Sequence, residues 1–382
     1  MVKVLYVADM LHTKSGITAV MMNYYRHFDK SNVRIDFLLP ENSSEQRLVD
    51  EVESCGSNVY YMPVLGASFE KVRRFKAFIA AFFATHNDYV AVHSHFMQLN
   101  ALVFPVAKRN GIGCCISHSH LTKYSENKLH CIRNWFMCLP NNKVADVWAA
   151  CGIKAGEFLY GRKFLSSPKH MIVRNAIELD RFSFDEETRR AVRSELGIGG
   201  SEVVLGTVGR LQIQKNHFFL LDVMRSLVDG GSRNYKLVIV GEGPLEAPLK
   251  ERSKALSLDN NVVFTGRRAD AYRLYQAFDV FLLPSIYEGL PVVGVEAQAS
   301  GLPCVFSTGI TNEIGLTRSI FLPVDEGPAQ WVNAIEAIEN VDLKDRVSSC
   351  EVVQKAGFDI NVEAKRLEGF YLGLQRPKEA KP

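Results

Sequence analysis

The sequence of 382 residues lacks several features that would assign it to a membrane or nucleic-acid-binding class. No apolar run reaches the about 18 residues that a membrane-spanning helix needs, and the nearest candidate, 75–84, is interrupted by Lys76. The 45 basic and 42 acidic side chains nearly balance, which argues against broad binding of a polyanion. We therefore expect a protein that is not integral to a membrane and that has no nucleic-acid partner.

Cysteine pairing motifs are also missing. The eight cysteines form no Cys-x-x-Cys pair, and no secretory signal precedes the first strand-like segment, 2–7. This pattern is typical of a reducing compartment and predicts a cytoplasmic protein.

Short apolar segments alternate with helical patterns in two successive series. The first series comprises 2–7, 33–39, 59–61, 89–93 and 114–117. The second comprises 203–208, 237–240, 262–265, 280–283 and 303–306. Such alternation predicts parallel, doubly wound α/β sheets, so we expect two Rossmann-like β/α/β domains that face each other across a cleft.

Domain boundaries follow from a polar passage at 177–187, which is typical of a linker. We predict an N-terminal, acceptor-side domain at 1–175 and a nucleotide-sugar-binding domain at 176–357. Residues 358–382 are predicted to contain a helix that packs back towards the N-terminal domain.

The segment after 280–283 carries the strongest chemical signal. Pro291 suits a first helical position, so Gly289 and Leu290 would present N–H groups at the positive end of a helix dipole, which favours phosphate. Glu296 would lie about 7.5 Å further along the axis, where it could accept ribose hydroxyls, while Glu288 would meet the sugar. The alternative is that both glutamates are solvated surface charges.

A second segment supplies positive charge. Gly209 forms a turn after the strand 203–208, and Arg210 and Lys215 follow before the next helix. Two fixed cations can neutralise a leaving diphosphate, and the chain has no Asp-x-Asp pair that would hold a metal for the same purpose. The pattern favours a metal-free site.

Histidines follow two predicted strands. His93 and His95 end one strand, and His118 and His120 end another, at the edge where open α/β sheets bind ligands. Residues i and i+2 share one face of a strand, so a divalent metal site is one alternative, and a set of core histidines is another.

These motifs together resemble those of a known family. The Glu288-x7-Glu296 spacing and the Gly209-Arg210 turn with Lys215, joined by motifs at 15–17, 173–177, 241–244 and 264–266, are similar to retaining glycosyltransferases of family 4 (glycosyl transferases group 1), which have the GT-B fold. Bacterial exopolysaccharide and capsule enzymes are the most similar members.

The resemblance implies roles for the residues that carry the diphosphate, ribose and sugar contacts. Arg210 and Lys215 would clamp the diphosphate, Glu296 would bind ribose and Glu288 would contact the transferred sugar. Gly16 would lie where the first loop approaches the donor phosphates.

The resemblance also implies positions for the nucleotide base and for one histidine contact. The base would pack beside Gly266 and Arg267, and His120, in preference to His118, would contact the donor sugar. No metal and no other cofactor would be needed.

The implied function is transfer of a hexose or N-acetylhexosamine from a nucleotide diphosphate sugar, with a UDP-sugar favoured. The acceptor would be lipid-linked or an oligosaccharide in cell-surface polysaccharide biosynthesis. The basic and aromatic helix at 69–78 predicts peripheral contact with the inner membrane leaflet, although it also fits a solvated helix face.

Three alternatives have their own signatures. A nucleotide-sugar epimerase of similar fold would convert its donor without an acceptor. A non-catalytic subunit would bind a nucleotide sugar without turnover. A nicotinamide-dependent oxidoreductase fits poorly, since Gly241-x-Gly243 lacks the third glycine of the dinucleotide motif.

Overall fold

The computed structural model describes residues 1–125, 127–338 and 343–374, with backbone alone for 343–345. The chain divides into two compact units, residues 1–175 with 360–382 and residues 176–359. The division after Asn175 coincides with the sequence-based boundary, while the return to the first unit comes at Ile360, two residues later than the expected start at 358. The end of the predicted C-terminal segment, 375–382, lies outside the described residues.

The first unit contains a seven-stranded parallel sheet in the order β3-β2-β1-β4-β5-β6-β7. Its strands are β1 (Val2–Val7), β2 (Val33–Pro40), β3 (Val59–Met62), β4 (Ala91–Ser94), β5 (Cys114–Ser119), β6 (Val147–Ala150) and β7 (His170–Ile172). Its helices up to residue 175 are α1 (Gly16–His27), α2 (Gln46–Ser54), α3 (Phe69–Thr85), α4 (Asn100–Arg109), α5 (Lys128–Cys138), α6 (Asn141–Val144) and α7 (Ile153–Tyr160).

The second unit contains a six-stranded parallel sheet in the order β10-β9-β8-β11-β12-β13. Its strands are β8 (Val203–Val208), β9 (Tyr235–Val240), β10 (Val262–Gly266), β11 (Val280–Leu283), β12 (Cys304–Ser307) and β13 (Ser319–Leu322). Its helices are α8 (Glu186–Glu195), α9 (His217–Gly230), α10 (Glu246–Ala255), α11 (Ala271–Ala277), α12 (Val292–Ala299), α13 (Ala329–Ala337) and α14 (Leu343–Lys355).

Apolar residues explain why each sheet is covered. In the first unit, side chains from β1 and β4 such as Leu5 and Val92 pack against Phe75 of α3 and Phe104 of α4. Strands covered on both faces read as continuous apolar runs, which is why their pattern is visible in the sequence. The second unit has an equivalent core around β8, β9 and α9.

The last helix, α15 (Ile360–Gly373), belongs to the first unit and packs on α1, β1 and β2. The Tyr371 and Tyr6 hydroxyls lie 3.1 Å apart in the core, and the Glu368 carboxylate accepts a hydrogen bond from the backbone N–H of Asp29 at 2.9 Å. The final segment is therefore part of the core of the first unit.

The chain enters and leaves the second unit at neighbouring positions. Ile177 pairs with Asp359 in a parallel bridge, and the Ile177 N–H donates to the Phe358 carbonyl at 2.9 Å. The passage that composition marks as a linker contains a short 3-10 turn, Leu179–Arg181.

No helix in the described parts of the chain combines the length and the apolar character that crossing a membrane requires.

Candidate active site

The carboxyl ends of four neighbouring strands in the second unit are joined by backbone hydrogen bonds. The Gly209 N–H, after β8, donates to the Val240 carbonyl of β9 at 2.9 Å. The Gly241 N–H, after β9, donates to the Gly266 carbonyl of β10 at 2.9 Å. After β11, the Ile286 N–H donates at 2.8 Å to the carbonyl of Gln214, which lies in the loop that follows β8. The loops that carry the predicted donor residues therefore form one edge of this sheet.

Two glycines at this edge are required by the close approach of backbone. A Cβ on Gly241 would lie 1.9 Å from the Gly209 carbonyl oxygen, and Gly241 has φ +145°. A Cβ on Gly243 would lie 2.3 Å from the Leu211 carbonyl oxygen. The Gly-x-Gly pair thus serves to pack two loops together, which agrees with rejecting a dinucleotide motif.

Lys215 and Glu288 form an ion pair at this edge. The Lys215 Nζ lies 2.6 Å from the Glu288 Oε1, and the two side chains are 13% and 12% exposed. Gln214 holds their loops in register, because its Nε2 donates to the Tyr287 carbonyl at 2.9 Å. The structure therefore brings together the residue predicted to meet the diphosphate and the one predicted to meet the sugar.

The sequence did not indicate that Lys215 pairs with Glu288, nor how the neighbouring backbone positions the lysine. Asn216, directly after Lys215, adopts a left-handed conformation with φ 54°, which turns the chain into α9. The adjoining Gly209 is close to the lysine stem, since a Cβ there would lie 3.3 Å from the Lys215 Cε. The lysine is thus held between a glycine turn and a carboxylate.

Glu296 lies on α12 and is fixed by a neighbouring helix. Its Oε2 accepts a hydrogen bond from the Tyr275 hydroxyl of α11 at 2.7 Å. Burial raises the pKa of Glu296, while the Tyr275 hydrogen bond and the positive charge of Arg181 oppose that rise. Burial also raises the pKa of Tyr275, so the tyrosine remains a neutral donor that orients the carboxylate.

The start of α12 differs from the sequence-based prediction by one residue. Pro291 is the N-cap, with ψ 120°, and the helix begins at Val292, so Pro291 does not occupy the first helical position. Because its ψ is extended, Pro291 belongs to the end of the loop and not to the helix. Gly289 and Leu290 are buried directly before it, and the N–H groups of the first turn start at Val292, of which that of Gly294 donates to the Pro291 carbonyl at 3.0 Å.

The arginines near the predicted base site differ in their surroundings. Arg268 donates to Asp270 at 2.7 Å and to Glu195 at 2.6 Å, and these carboxylates raise its pKa. Arg267 is exposed, and Gly266 takes φ +66°. Of the two arginines, Arg267 is therefore the one whose guanidinium plane is open to a base.

Arg210 and Gly16 are both exposed. Arg210 follows Gly209 at the carboxyl end of β8. Gly16 is the first residue of α1, where the Ser15 Oγ caps the helix by accepting from the Thr18 N–H at 3.3 Å. A Cβ on Gly16 would meet nothing within 4 Å, so packing inside the first unit does not require a glycine there.

Four buried histidines meet at the carboxyl ends of β4 and β5 in the first unit. The His93 Nε2 and the His118 Nδ1 lie 3.1 Å apart, and the His95 Nδ1 and the His120 Nε2 lie 2.8 Å apart. The His118 and His120 rings stack with centroids 4.0 Å apart. Alternation along the two strands thus gathers all four rings on one face of the sheet.

Burial keeps these imidazoles neutral. It lowers the pKa of His93 and of His120 to about 3, and it lowers the pKa of His95 and of His118 well below the ordinary value. In a neutral pair, one ring donates and the other accepts. Tyr371 of α15 completes the chain of contacts, with its hydroxyl 2.6 Å from the His93 Nδ1.

Two ring nitrogens of the cluster, His95 Nε2 and His118 Nε2, are buried without a hydrogen-bond partner among the described residues. One nitrogen from each of His93, His95 and His118 lies within 4.8 Å of the others. The cluster therefore fits both alternatives given by the sequence: its members are buried core histidines, and their geometry is compatible with a metal ion.

The helix predicted to rest on lipid, 69–78, has aromatic residues of differing exposure. In α3, Phe75 is fully buried and Phe78 is half-buried, whereas Lys71, Arg73 and Lys76 are exposed. Phe69, at the start of this helix, is 84% exposed, as these cations are exposed, so peripheral contact of 69–78 with lipid stays a prediction.

Comparisons with known proteins agree in placing the chain in one family. A family described as Glycosyl transferases group 1 matches residues 188–340, which include Arg210, Lys215, Glu288 and Glu296. The putative glycosyltransferase EpsF of Bacillus subtilis (strain 168) is 31% identical over 367 residues, covering 94% of this chain and 93% of its own length.

A further relative is the Escherichia coli UDP-Gal:alpha-D-GlcNAc-diphosphoundecaprenol alpha-1,3-galactosyltransferase, which is 22% identical over 374 residues, or 94% of each chain. Among solved structures, Anabaena HepE in complex with UDP and glucose has a TM-score of 0.75 at 16% identity, covering 97% of this chain and 99% of its own. WaaG, an enzyme of lipopolysaccharide biosynthesis, has a TM-score of 0.68 and covers 97% of this chain. These structures share the GT-B fold with this chain, which therefore belongs to the group 1 family of glycosyltransferases and is a sugar-transferring enzyme.

Proposed function

We propose that this glycosyltransferase moves a hexose or an N-acetylhexosamine, with retention of anomeric configuration, from a nucleotide diphosphate sugar. The observation that carries this proposal is the Lys215–Glu288 ion pair at 2.6 Å, directly before α12, with Glu296 further along that helix. Glu288, then Lys215 with the start of α12, and then Glu296 further along that helix match the order of sugar, diphosphate and ribose in such a donor.

A UDP-sugar is the favoured donor. The name of the Escherichia coli relative specifies UDP-galactose, and HepE was solved with UDP-glucose. Glu296 would accept both ribose hydroxyls, with Tyr275 fixing the carboxylate. Arg267 would stack on the base beside Gly266.

In the proposed reaction, the bond between the anomeric carbon and the diphosphate oxygen breaks, and its electron pair stays on the diphosphate. Arg210, Lys215 and the N–H groups at the start of α12 stabilise this growing negative charge. The acceptor hydroxyl forms the new bond on the same face, and its proton passes to an oxygen of the leaving phosphate. The products are the glycosylated acceptor and a nucleoside diphosphate.

Fixed cations replace a metal in this proposal. Lys215 is already positioned by Glu288, and Arg210 lies on the same loop, so two positive charges are available without a bound ion. Transfer should therefore continue when divalent ions are chelated.

The first unit would contribute the acceptor side. We propose that Gly16 lies near the donor phosphates and that His120, in preference to His118, contacts the donor sugar. A neutral imidazole suits this role, because with its Nε2 paired to the His95 Nδ1 at 2.8 Å, its Nδ1 can form one hydrogen bond with a sugar hydroxyl. These assignments stay predictions.

The acceptor is proposed to be lipid-linked or an oligosaccharide in cell-surface polysaccharide biosynthesis. The name of the Escherichia coli relative specifies an acceptor on diphosphoundecaprenol. An acceptor of this kind would be met by a cytoplasmic enzyme at the inner leaflet of the membrane.

The proposal is tested first by thermal shift with UDP, GDP, ADP and NAD in buffer containing EDTA. Stabilisation by UDP under chelation supports the donor and the metal-free site, whereas a response to NAD alone, or to UDP only with added metal, overturns them. Incubation with UDP-sugars, with and without an acceptor, then separates transfer from epimerisation. Proton NMR of the product decides retention from the anomeric coupling.

A further inference from the structure

The histidine cluster of the first unit, His93, His95, His118 and His120, contains two hydrogen-bonded pairs. The His95 Nδ1 and the His120 Nε2 form one pair, and the His118 Nδ1 and the His93 Nε2 form the other. In each pair one ring also has a buried Nε2, that of His95 or that of His118, which the described part of the chain leaves without a hydrogen-bond partner. These two nitrogens determine which ring of each pair donates.

The protons of the first pair follow from the chemistry of imidazole. A neutral ring carries one N–H and one lone pair, so the nitrogen without a partner must be one or the other. A buried N–H without an acceptor is rarer in proteins than a buried acceptor without a donor. The His95 Nε2 therefore keeps the lone pair, and the His95 Nδ1–H donates to the His120 Nε2. His120, which accepts at Nε2, must carry its own proton at Nδ1.

The second pair has the same direction. The His118 Nδ1–H donates to the His93 Nε2, so the His93 proton lies at Nδ1, 2.6 Å from the Tyr371 hydroxyl oxygen. Tyr371 accepts this hydrogen bond and can donate its own proton to the Tyr6 hydroxyl, which lies 3.1 Å away. Each N–H in this chain of contacts thus has an acceptor. His118 uses its only N–H inside the cluster and has none to offer a ligand.

His95 is held in place by its own surroundings. Its backbone N–H donates to the Val7 carbonyl at 2.7 Å, which fixes it beside the end of β1. Its ring stacks on the His93 ring with centroids 4.6 Å apart and contacts the Tyr6 ring at 4.9 Å between centroids. A side chain packed in this way keeps its Nδ1–H aimed at the His120 Nε2.

We propose that His95 is a positioning residue for sugar transfer. It fixes His120 in the tautomer with the proton on Nδ1, and the His120 Nδ1–H donates a hydrogen bond to an oxygen of the donor sugar. His120 is 6% exposed and His118 is 1% exposed, so His120 is the more accessible of the two candidates. The group that meets it must have a lone pair, as hydroxyl and carbonyl oxygens do and an ammonium group does not. The contact with the sugar rests on the proposed function, whereas the direction of the hydrogen bond inside the first unit does not.

Nitrogen NMR of the imidazole rings tests this direction in the ligand-free protein. The ten histidines are labelled selectively, and comparison with His120→Gln assigns the signals of His120. The buffer contains EDTA, so that no metal ion occupies the cluster. Protonated and bare ring nitrogens have well-separated chemical shifts, and we expect the proton of His120 on Nδ1. A proton on Nε2 would overturn the proposal, whether or not the protein transfers sugar.

Two substitutions of nearly equal size test the link to transfer. His95→Asn keeps a neutral side chain with an N–H that can donate to the His120 Nε2, whereas His95→Asp presents only acceptors and draws the His120 proton to Nε2. Transfer is measured at alkaline pH, where the imidazole beside the new carboxylate is neutral. With a UDP-sugar, kcat/KM should fall at least about tenfold in His95→Asp and stay within about threefold of the wild type in His95→Asn. UDP alone, which lacks the sugar, should bind both variants as it binds the wild type in calorimetric titration.

Two outcomes of the transfer assay count against the role of His95. Near wild-type transfer by His95→Asp would show that the proton position does not matter, and an equal loss in both variants would assign the effect to packing. If His95→Asp shows no cooperative thermal unfolding, the signals of His120 in the wild type decide the proposal. Wild-type protein that transfers sugar from no nucleotide sugar would refute the proposed function, and the same signals would still decide the direction of the hydrogen bond.

Discussion

Changing Glu288 to glutamine should separate donor binding from transfer. The Lys215–Glu288 pair is nearly buried, so removing the carboxylate leaves the lysine charge without its counter-ion. Breaking a buried pair costs about 3–5 kcal/mol, and the 12–13% exposure of these side chains reduces that to about 2 kcal/mol for Glu288→Gln. The diphosphate of UDP can replace the lost carboxylate.

UDP should therefore bind Glu288→Gln up to about tenfold more tightly than the wild type, since recovering about 1.4 kcal/mol of the lost stabilisation corresponds to that factor. Transfer should fall by at least about 100-fold, because the sugar exchanges a charged acceptor with two oxygens for a neutral amide with one. Calorimetric titration with UDP, thermal melting with and without UDP, and initial rates of transfer give the three quantities.

Glu246→Gln is the matched control, because Glu246 forms an exposed pair with Lys250 and its loss should change stability by less than about 0.5 kcal/mol. Near wild-type transfer by Glu288→Gln would show that Glu288 does not grip the sugar. Weakened UDP binding by the same variant would show that the ion pair does not compete with the diphosphate.

Further predictions concern the glutamate on α12, the loop glycine and the histidine cluster. Tyr275→Phe should weaken UDP binding about tenfold in titration calorimetry, because Glu296 loses a charge-assisted hydrogen bond, and unchanged affinity would contradict that role. Gly241→Ala should destabilise the protein by at least about 2 kcal/mol in urea unfolding, since a Cβ would lie 1.9 Å from a carbonyl oxygen and φ is +145°, so wild-type stability would refute the packing argument. His93 and His120 have a folded-state pKa of about 3 against an ordinary 6.5, so their contribution is fully present above pH 6.5 and is lost as pH falls towards 3. At pH 5 each of these two histidines is protonated in the unfolded chain but not in the folded protein, and we expect this difference to lower the free energy of unfolding by about 2 kcal/mol per histidine. His120→Gln should therefore flatten the dependence of unfolding free energy on pH.

The sequence predicted the central strands well because they are covered on both faces. The strands β6, β7 and β13 were not predicted, although four-residue strands inside the sheets, such as β4, β11 and β12, were. Tertiary context, which supplies the neighbouring strand, is what makes such segments extend.

Among the site residues, some positions could be predicted from the sequence, whereas the contacts between them could not. Lys215 and Glu288 could be placed at one sheet edge because each follows a predictable strand, but their direct pairing could not be foreseen. The partners Tyr275 and Tyr371 lie 21 and 278 residues from the groups that they hold, so no local pattern signals them. Composition alone does not show which face of α3 is buried, so the burial of Phe75 could not be foreseen.

The return of α15 to the first unit sets an order for synthesis. The helix that covers Tyr6 and His93 is encoded after the whole second unit, so on the ribosome the core of the first unit cannot close until α15 has been made. That core stays open to chaperones for the time needed to translate 176–359, and a nonsense mutation between the second unit and α15 would destabilise the first unit.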